Sequence, residues 1–346
     1  MTNKFLITKF RNHGDVLTTT PIFKTIKEND PNATVDCLIF SDSIEMVSNN
    51  DYIDNIFTIK RNEKNIIKKI IINIKLIIKL KENNYTHLIH TTESMRGLWI
   101  KFFCSIPHAV TFNNNKRDKL FFWRKSFQSI PNIKNRHIVD KHLDLLRSIG
   151  IKPTSISKKM SLKTDNNFDD IITCLDIGIE KNDYILIHPT SRWMFKCWPA
   201  ENFAKLIDKI AAHGKKIVVS SSPDEKELKF IAEIEKQTNL SFINISGKTS
   251  LKQLSELINH ASMLITVDSV PMHIASAVNT PVIAIFGPSG ENEWGPWMVD
   301  NIVIKSEQHP CRPCGKDGCG RSKVSDCLTE ISVQTVLNAY YRLEKK

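Results

Sequence analysis

At 346 residues the chain exceeds one ordinary hydrophobic core and fits two domains. Hydrophobic residues at 41% and charged residues at 25% describe a soluble globular chain, and 48 Lys and Arg against 37 Asp and Glu leave a net charge of +11. That charge favours acidic partners without choosing among nucleic acid, anionic lipid and phosphorylated sugar. The richest apolar tract, 66–80, is interrupted by Lys68, Lys69, Asn73, Lys75 and Lys79, which excludes it as a transmembrane helix. Residues 1–10 carry Lys4 and pass straight into a strand-like run, without the apolar core or cleavage site of an export signal. The eight cysteines then read as free thiols or metal ligands rather than as a disulfide framework.

From residue 4 strands and helices alternate. Strand patterns cover 5–8, 34–40, 56–59, 86–91 and 109–112, with helical patterns over 16–28, 65–81 and 95–104. This succession predicts an α/β domain on a parallel sheet. Residues 151–183 are polar, contain Pro153 and a Ser/Lys/Asn/Asp-rich stretch, and suit an interdomain connection. Alternation then resumes: strand 184–187, helix 200–212 ended by Gly214, strand 216–220, helix 224–237, strand 242–245, helix 251–260, strand 263–267, helix 272–278 and strand 282–286. A second doubly wound domain is expected here. The last helical pattern, 333–344, follows a long irregular stretch and is expected to pack away from its sequence neighbours.

Three polar turns follow strands, at the carboxyl edge where open α/β sheets bind ligands. In Arg11-Asn12-His13-Gly14-Asp15, Gly14 lets the backbone bend tightly and Asp15 stands where a carboxylate can take a proton from an attacking hydroxyl. Asp15 equally suits the cap of a helix starting at Val16. In the turn 188–199, Thr190, Ser191, Arg192 and Lys196 precede a helix and can gather round a diphosphate, neutralising charge as its bond to a sugar breaks. The plain alternative is a solvated loop with Trp193 and Trp198 packed and His188 in the core. In Asp268-Ser269-Val270-Pro271-Met272-His273 a strand ends and a helix begins, so free backbone N–H groups can face an anion. Asp268 as a simple strand terminator and His273 on a satisfied helix face are the alternatives there. Neither a G-x-G-x-x-G fingerprint nor a Walker A motif occurs.

Gly14-Asp15 after the first strand, the His188-Pro189-Thr190-Ser191-Arg192 turn with Lys196 and Trp198, and Asp268-Ser269 with His273 ahead of Phe286-Gly287-Pro288-Ser289 together resemble the family 9 glycosyltransferases, the bacterial lipopolysaccharide heptosyltransferases. The resemblance runs over nearly the whole chain, and residues 9–17 and 268–273 are most similar to the heptosyltransferase III branch. It implies a GT-B architecture, in which two Rossmann-like doubly wound domains face across a cleft. Residues 1–160 would bind the acceptor, 161–332 would bind the nucleotide-sugar, and the helix in 333–346 would return to the first domain. It also implies a catalytic role for Asp15, diphosphate binding by Thr190, Ser191 and Lys196, sugar–diphosphate contacts from Asp268, Ser269 and His273, and no metal in catalysis. Val270 and Pro271 stand where many members carry a small residue, often Gly, and Pro271 has no N–H to offer a phosphate. The heptosyltransferase III branch shares that departure.

Glu225, in the turn after strand 216–220, is the expected ribose partner by position. Cys311, Cys314, Cys319 and Cys327, with Gly315, Gly318 and Gly320 between them, have a spacing that can close around a structural zinc; otherwise they are reduced thiols. The basic-aromatic run 119–127 and the Ile/Lys helix 65–81 can rest on an anionic membrane, or be a solvated loop and a packed amphipathic helix. The resemblance implies inverting transfer of heptose from ADP-heptose to a heptose of the phosphorylated lipopolysaccharide inner core, at the cytoplasmic face of the inner membrane. The alternatives are heptosyltransferase II or a related nucleotide-sugar transferase and, in a different class, a noncatalytic basic module for anionic lipid or nucleic acid. Nucleic acid is disfavoured because RNP aromatics and a zinc-finger His pair are absent.

Overall fold

Phe5, Leu6 and Ile7 are buried on both faces of the first strand, as a central strand of a parallel sheet requires. A computed structural model describes residues 2–61, 63–164 and 167–345, and the chain divides into two compact units, Met1–Lys163 and Thr164–Lys346. In the first unit β1 (Lys4–Lys9), β2 (Thr34–Phe40), β3 (Asn55–Ile59), β4 (His87–His90), β5 (His108–Phe112) and β6 (Gln128–Ile130) pair in parallel in the order β3-β2-β1-β4-β5-β6. Parallel neighbours need crossovers, and helices supply most of them: α1 (His13–Leu17), α2 (Thr20–Asn29), α3 (Ile66–Glu82), α4 (Met95–Phe103) and α5 (Phe121–Ser126), with α6 (Ile138–Arg147) following the last strand. Leu6, Leu38 and Leu88 of the sheet share one core with Leu80 of α3, Ile100 of α4 and Trp123 of α5, while α2 packs on α6.

The helical pattern 16–28 resolves into two helices. Pro21 cannot donate an amide, so it is tolerated only in a first turn, and α2 accordingly starts at Thr20 with Pro21 near its N-terminus. The hydroxyls of Thr18 and Thr19 fill the break by donating to the carbonyls of Asp15 at 2.7 Å and Val16 at 2.6 Å. Strand β6 and helix α6 lie where no element was expected, although Ile138, Val139, Leu143 and Leu146 have helical spacing and are all buried.

The second unit begins with α7 (Phe168–Leu175), inside the stretch expected to be an irregular connection. Asn167 caps it by accepting from the Asp169 amide, and Phe168 and Ile171 are buried, so a short amphipathic helix forms within polar surroundings. There follow β7 (Tyr184–His188), α8 (Ala200–Ala211), β8 (Lys216–Val219), α9 (Glu225–Gln237), β9 (Ile243–Asn244), α10 (Leu251–Asn259), β10 (Met263–Val267), α11 (Val270–Val278), β11 (Val282–Phe286), α12 (Glu291–Trp294), β12 (Asn301–Lys305), α13 (Asp326–Thr329) and α14 (Val333–Glu344). The strands form a parallel sheet in the order β12-β11-β10-β7-β8-β9. Helix α10 opens with a reciprocal capping box between Ser250 and Gln253.

Helix α14 differs from expectation. The family resemblance implies a seat on the first domain, yet Val336, Leu337, Tyr340 and Leu343 are buried in the second unit's own core, against α8, β11 and β12. Strand β12, unrecognised in the sequence, extends the sheet that this helix covers, so its apolar stripe finds a surface close at hand.

Candidate active site

In the second unit the strand order reverses between β10 and β7. Open α/β sheets bind ligands at such a switch point, beyond the carboxyl ends of the strands. Lys196, in the turn after β7, reaches across it to Asp268 after β10, with Nζ 2.6 Å from Oδ2. Thr190 is fully buried and its hydroxyl donates to Glu227 at 2.6 Å, while the Ser191 hydroxyl accepts from the Trp193 amide at 3.4 Å. Ser269 sits at the N-cap position of α11, with its Oγ 3.2 Å from Thr266 Oγ1, and His273 is buried within the same helix. The sequence-derived diphosphate and sugar residues are thus carried on the ends of adjacent strands.

The start of α11 is less generous to an anion than an ordinary helix end. Pro271 removes one amide, and the Met272 amide is already donated to the Ser269 carbonyl at 3.2 Å. Cationic charge from Lys196 therefore has more to do here. The glycine of Phe286-Gly287-Pro288-Ser289 has a packing reason: a Cβ added to Gly287 would lie 2.6 Å from Leu328 Cδ1. The Gly287 carbonyl also accepts from Arg312 Nε at 2.6 Å, tying the cysteine-containing loop to the end of β11.

In the first unit the order reverses between β1 and β4, and Asp15 lies just beyond β1. It does not cap a helix, because α1 begins at His13 with Asn12 in the N-cap position and Asp15 in its first turn. The Asp15 carboxylate is 3.8 Å from Nζ of Lys9, whose side chain is only 5% exposed. Lys9 Nζ is also 3.1 Å from His142 Nε2, and His142 Nδ1 is 3.1 Å from the Thr18 carbonyl. A carbonyl only accepts, so Nδ1 carries the proton and Nε2 accepts from the ammonium. Burial pushes the Lys9 pKa down to about 8, with Asp15 opposing the fall, and burial holds His142 well below the usual histidine range. The result is a buried, oriented cation beside Asp15.

Beyond the ends of β2, β3 and β4 the first unit also gathers guanidinium groups. Arg61 pairs with Asp42 at 2.8 Å, donates to the Arg11 carbonyl at 2.8 Å and lies 4.3 Å from the Phe40 ring centroid. Arg96 lies over Phe10 and Phe40 at 5.4 and 5.2 Å, and burial followed by the charge of Arg61 lowers its pKa.

Glu225 points to solvent and pairs with Lys229 at 2.8 Å, both side chains being more than two-thirds exposed. The carboxylate that turns inward at the end of β8 is Glu227, which accepts from Thr190 and, at 3.2 Å, from the Ser222 amide. Helix phase carried the signal, since Glu227, Ile231 and Ile234 fall on the buried stripe at i, i+4 and i+7. Cys311, Cys314, Cys319 and Cys327 are free thiols; burial raises the Cys327 pKa, and the other three lie near enough to add to the rise. Among the described residues no three His, Cys, Asp or Glu are grouped as metal ligands. His188 and Trp198 follow their plain alternatives. Burial takes the His188 pKa to about 4 against the pull of Glu227, and Trp198 is buried with its indole N–H donated to the Ile331 carbonyl at 3.0 Å.

Residues 73–325 match the family described as glycosyltransferase family 9 (heptosyltransferase). The chain belongs to glycosyltransferase family 9. Lipopolysaccharide heptosyltransferase 3 of Escherichia coli K12 is 34% identical over 295 residues, which cover 85% of each chain. A family 9 glycosyltransferase structure from Veillonella parvula superposes with a TM-score of 0.82 at 20% identity, covering 99% of this chain and 97% of that one. The structure of Escherichia coli ADP-heptose lps heptosyltransferase II gives a TM-score of 0.78 at 19% identity, covering 99% of both chains. These likenesses establish the GT-B fold, with its pair of Rossmann-like units. Family 9 membership makes the protein a glycosyltransferase and sets aside the noncatalytic basic module.

Proposed function

We propose that this family 9 enzyme is an inverting heptosyltransferase of the heptosyltransferase III type. It takes heptose from ADP-heptose and attaches it to a heptose of the phosphorylated lipopolysaccharide inner core. Asp15 accepts the proton of the acceptor hydroxyl as that oxygen bonds to the anomeric carbon, and the sugar–phosphate bond breaks to release ADP. Lys196, Ser191 and Ser269 hold the diphosphate, Thr190 joins them once its hydroxyl turns from Glu227, and the ammonium of Lys196 opposes the charge that grows on the diphosphate in an oxocarbenium-like transition state. Asp268 accepts from Lys196 with one oxygen and retains capacity for hydroxyls of the donor sugar. No metal is assigned a role. Arg61 and Arg96 supply cationic surface for a phosphorylated acceptor, and the lipid nature of that acceptor makes peripheral work at the cytoplasmic face of the inner membrane the natural setting.

The observation that carries this reading is the Lys196–Asp268 pair, bridging the switch point at 2.6 Å in a family 9 chain. The experiment is ADP release from ADP-heptose with a truncated core acceptor. Asp15→Asn is expected to lose turnover while binding ADP as the parent does; full turnover in that variant removes Asp15 from the mechanism. Linkage analysis of the product separates the heptosyltransferase III reading from heptosyltransferase II.

A further inference from the structure

Thirteen of the twenty-one exposed large hydrophobic side chains among the described residues belong to α3, α4, α5 and the residue that precedes α5. These helices are neighbours in space and contribute to one core on one face of the first unit's sheet, so their outer sides form a continuous surface. Helix α3 is apolar on two sides. Leu76, Ile77 and Leu80 pack inward, while Ile66, Ile70, Ile74 and Ile78 recur every four residues on an outward stripe, each more than half exposed. Beside it stand Trp99 and Phe102 on α4 and Phe121 and Phe122 on α5, with Phe102 and Phe122 at 70% and 74% exposure.

The same helices are strongly basic. They contain nine Lys or Arg and a single acid, Glu82, so a short part of the chain holds +8 of its total of +11. Lys68, Lys75 and Lys79 border the isoleucine stripe, where long side chains can lay their stems along apolar surface and keep the charge in an aqueous headgroup layer.

We infer that this face of α3, α4 and α5 is a docking surface for an anionic lipid bilayer, with the aromatic and isoleucine side chains at the headgroup–acyl boundary. The inference deepens the proposed membrane setting of the enzyme and rests on it. Charge decides the occupant. A second copy of the chain would set +8 against +8, and a nucleic acid would satisfy the lysines but leave the isoleucine stripe in water. A bilayer bearing anionic headgroups meets both demands, with apolar burial and electrostatic attraction adding.

The test is flotation of the full-length protein with vesicles of phosphatidylglycerol and phosphatidylethanolamine, compared with pure phosphatidylcholine. Two variants are compared with the parent: Phe102→Ser with Phe122→Ser, and Lys68→Gln with Lys75→Gln. All these positions are exposed, and circular dichroism with turnover on a delipidated core oligosaccharide confirms folding and an intact site. The parent is expected to float with the anionic vesicles alone. The lysine pair should bind roughly 25-fold more weakly, at about fivefold per neutralised charge, and the phenylalanine pair should also lose binding. Variants that float as the parent does overturn this surface and leave the membrane setting standing. A parent that floats with neither vesicle overturns both, while turnover on the soluble acceptor still tests the transferase reading separately. Variants that alter oligomeric state instead of flotation make the face a protein interface and refute the proposal.

Discussion

Lys9 offers a test in which activity and stability move in opposite directions with pH. Its pKa is lowered to about 8, chiefly by burial, so it is roughly nine-tenths charged at pH 7 and roughly one-tenth charged at pH 9. If the ammonium orients Asp15 across their 3.8 Å separation, turnover should fall about ninefold between those pH values. Stability should behave otherwise. In the unfolded chain the lysine keeps its proton up to about 10.5, so between about 8 and 10.5 the unfolded state binds more protons and folding becomes more favourable as pH rises, by at most about 3 kcal/mol. Lys9→Met keeps the length of the side chain and removes its charge. Its kcat should drop on the order of 10-fold or more, as expected for losing the charged form altogether, with ADP affinity unchanged and the alkaline limb gone. The assays are ADP release and urea unfolding, each followed from about one pH unit below the Lys9 value to about 1.5 above it. An unchanged alkaline limb in Lys9→Met would refute the assignment.

Lys196→Ala should weaken ADP-sugar binding on the order of 10- to 100-fold because the start of α11 lacks the amide of Pro271; calorimetry giving the parent affinity would remove Lys196 from the cradle. Glu227→Ala leaves the buried Thr190 hydroxyl without its acceptor and should cost about 1–3 kcal/mol in stability along with donor affinity, whereas Glu225→Ala at an exposed position should change neither. Equal effects of the two would leave Glu227 no special place at the donor site. Gly287→Ala forces a methyl to 2.6 Å from Leu328 and should destabilise by about 1–3 kcal/mol, read as a lowered thermal midpoint; Gly287→Ala together with Leu328→Ala should recover part of the loss.

The strands were legible because most are short, continuous apolar runs bounded by turn residues, and the three polar turns followed from their positions after those runs. Local breaks were harder. Pro21 splits a helix whose apolar periodicity continues across it, and α7 nucleates on Asn167 and two buried residues inside a polar tract. Place in the turn points to Glu225, whereas the phase of α9 directs Glu227 inward. Lys9 and His142 meet across 133 residues of sequence, so their partnership leaves no local pattern, and α6, which delivers His142, was itself unrecognised. Helix α14 was placed by resemblance to a family, while its actual seat depends on β12, an edge strand of modest apolar character.

The ion pair at the switch point also bears on how the enzyme disengages from its spent nucleotide. Lys196 and Asp268 satisfy one another, so on the proposed reading a sugar nucleotide must give each a replacement partner. A sugar nucleotide brings phosphate oxygens for the ammonium and hydroxyls for the carboxylate; bare ADP brings the former alone. If these two residues hold the donor as proposed, Asp268 should compete again for the lysine once the sugar has been handed over, and the nucleotide's grip should slacken at the step where turnover needs it to leave. The gap between the dissociation constants of intact donor and ADP measures this effect, and equal values would dismiss it.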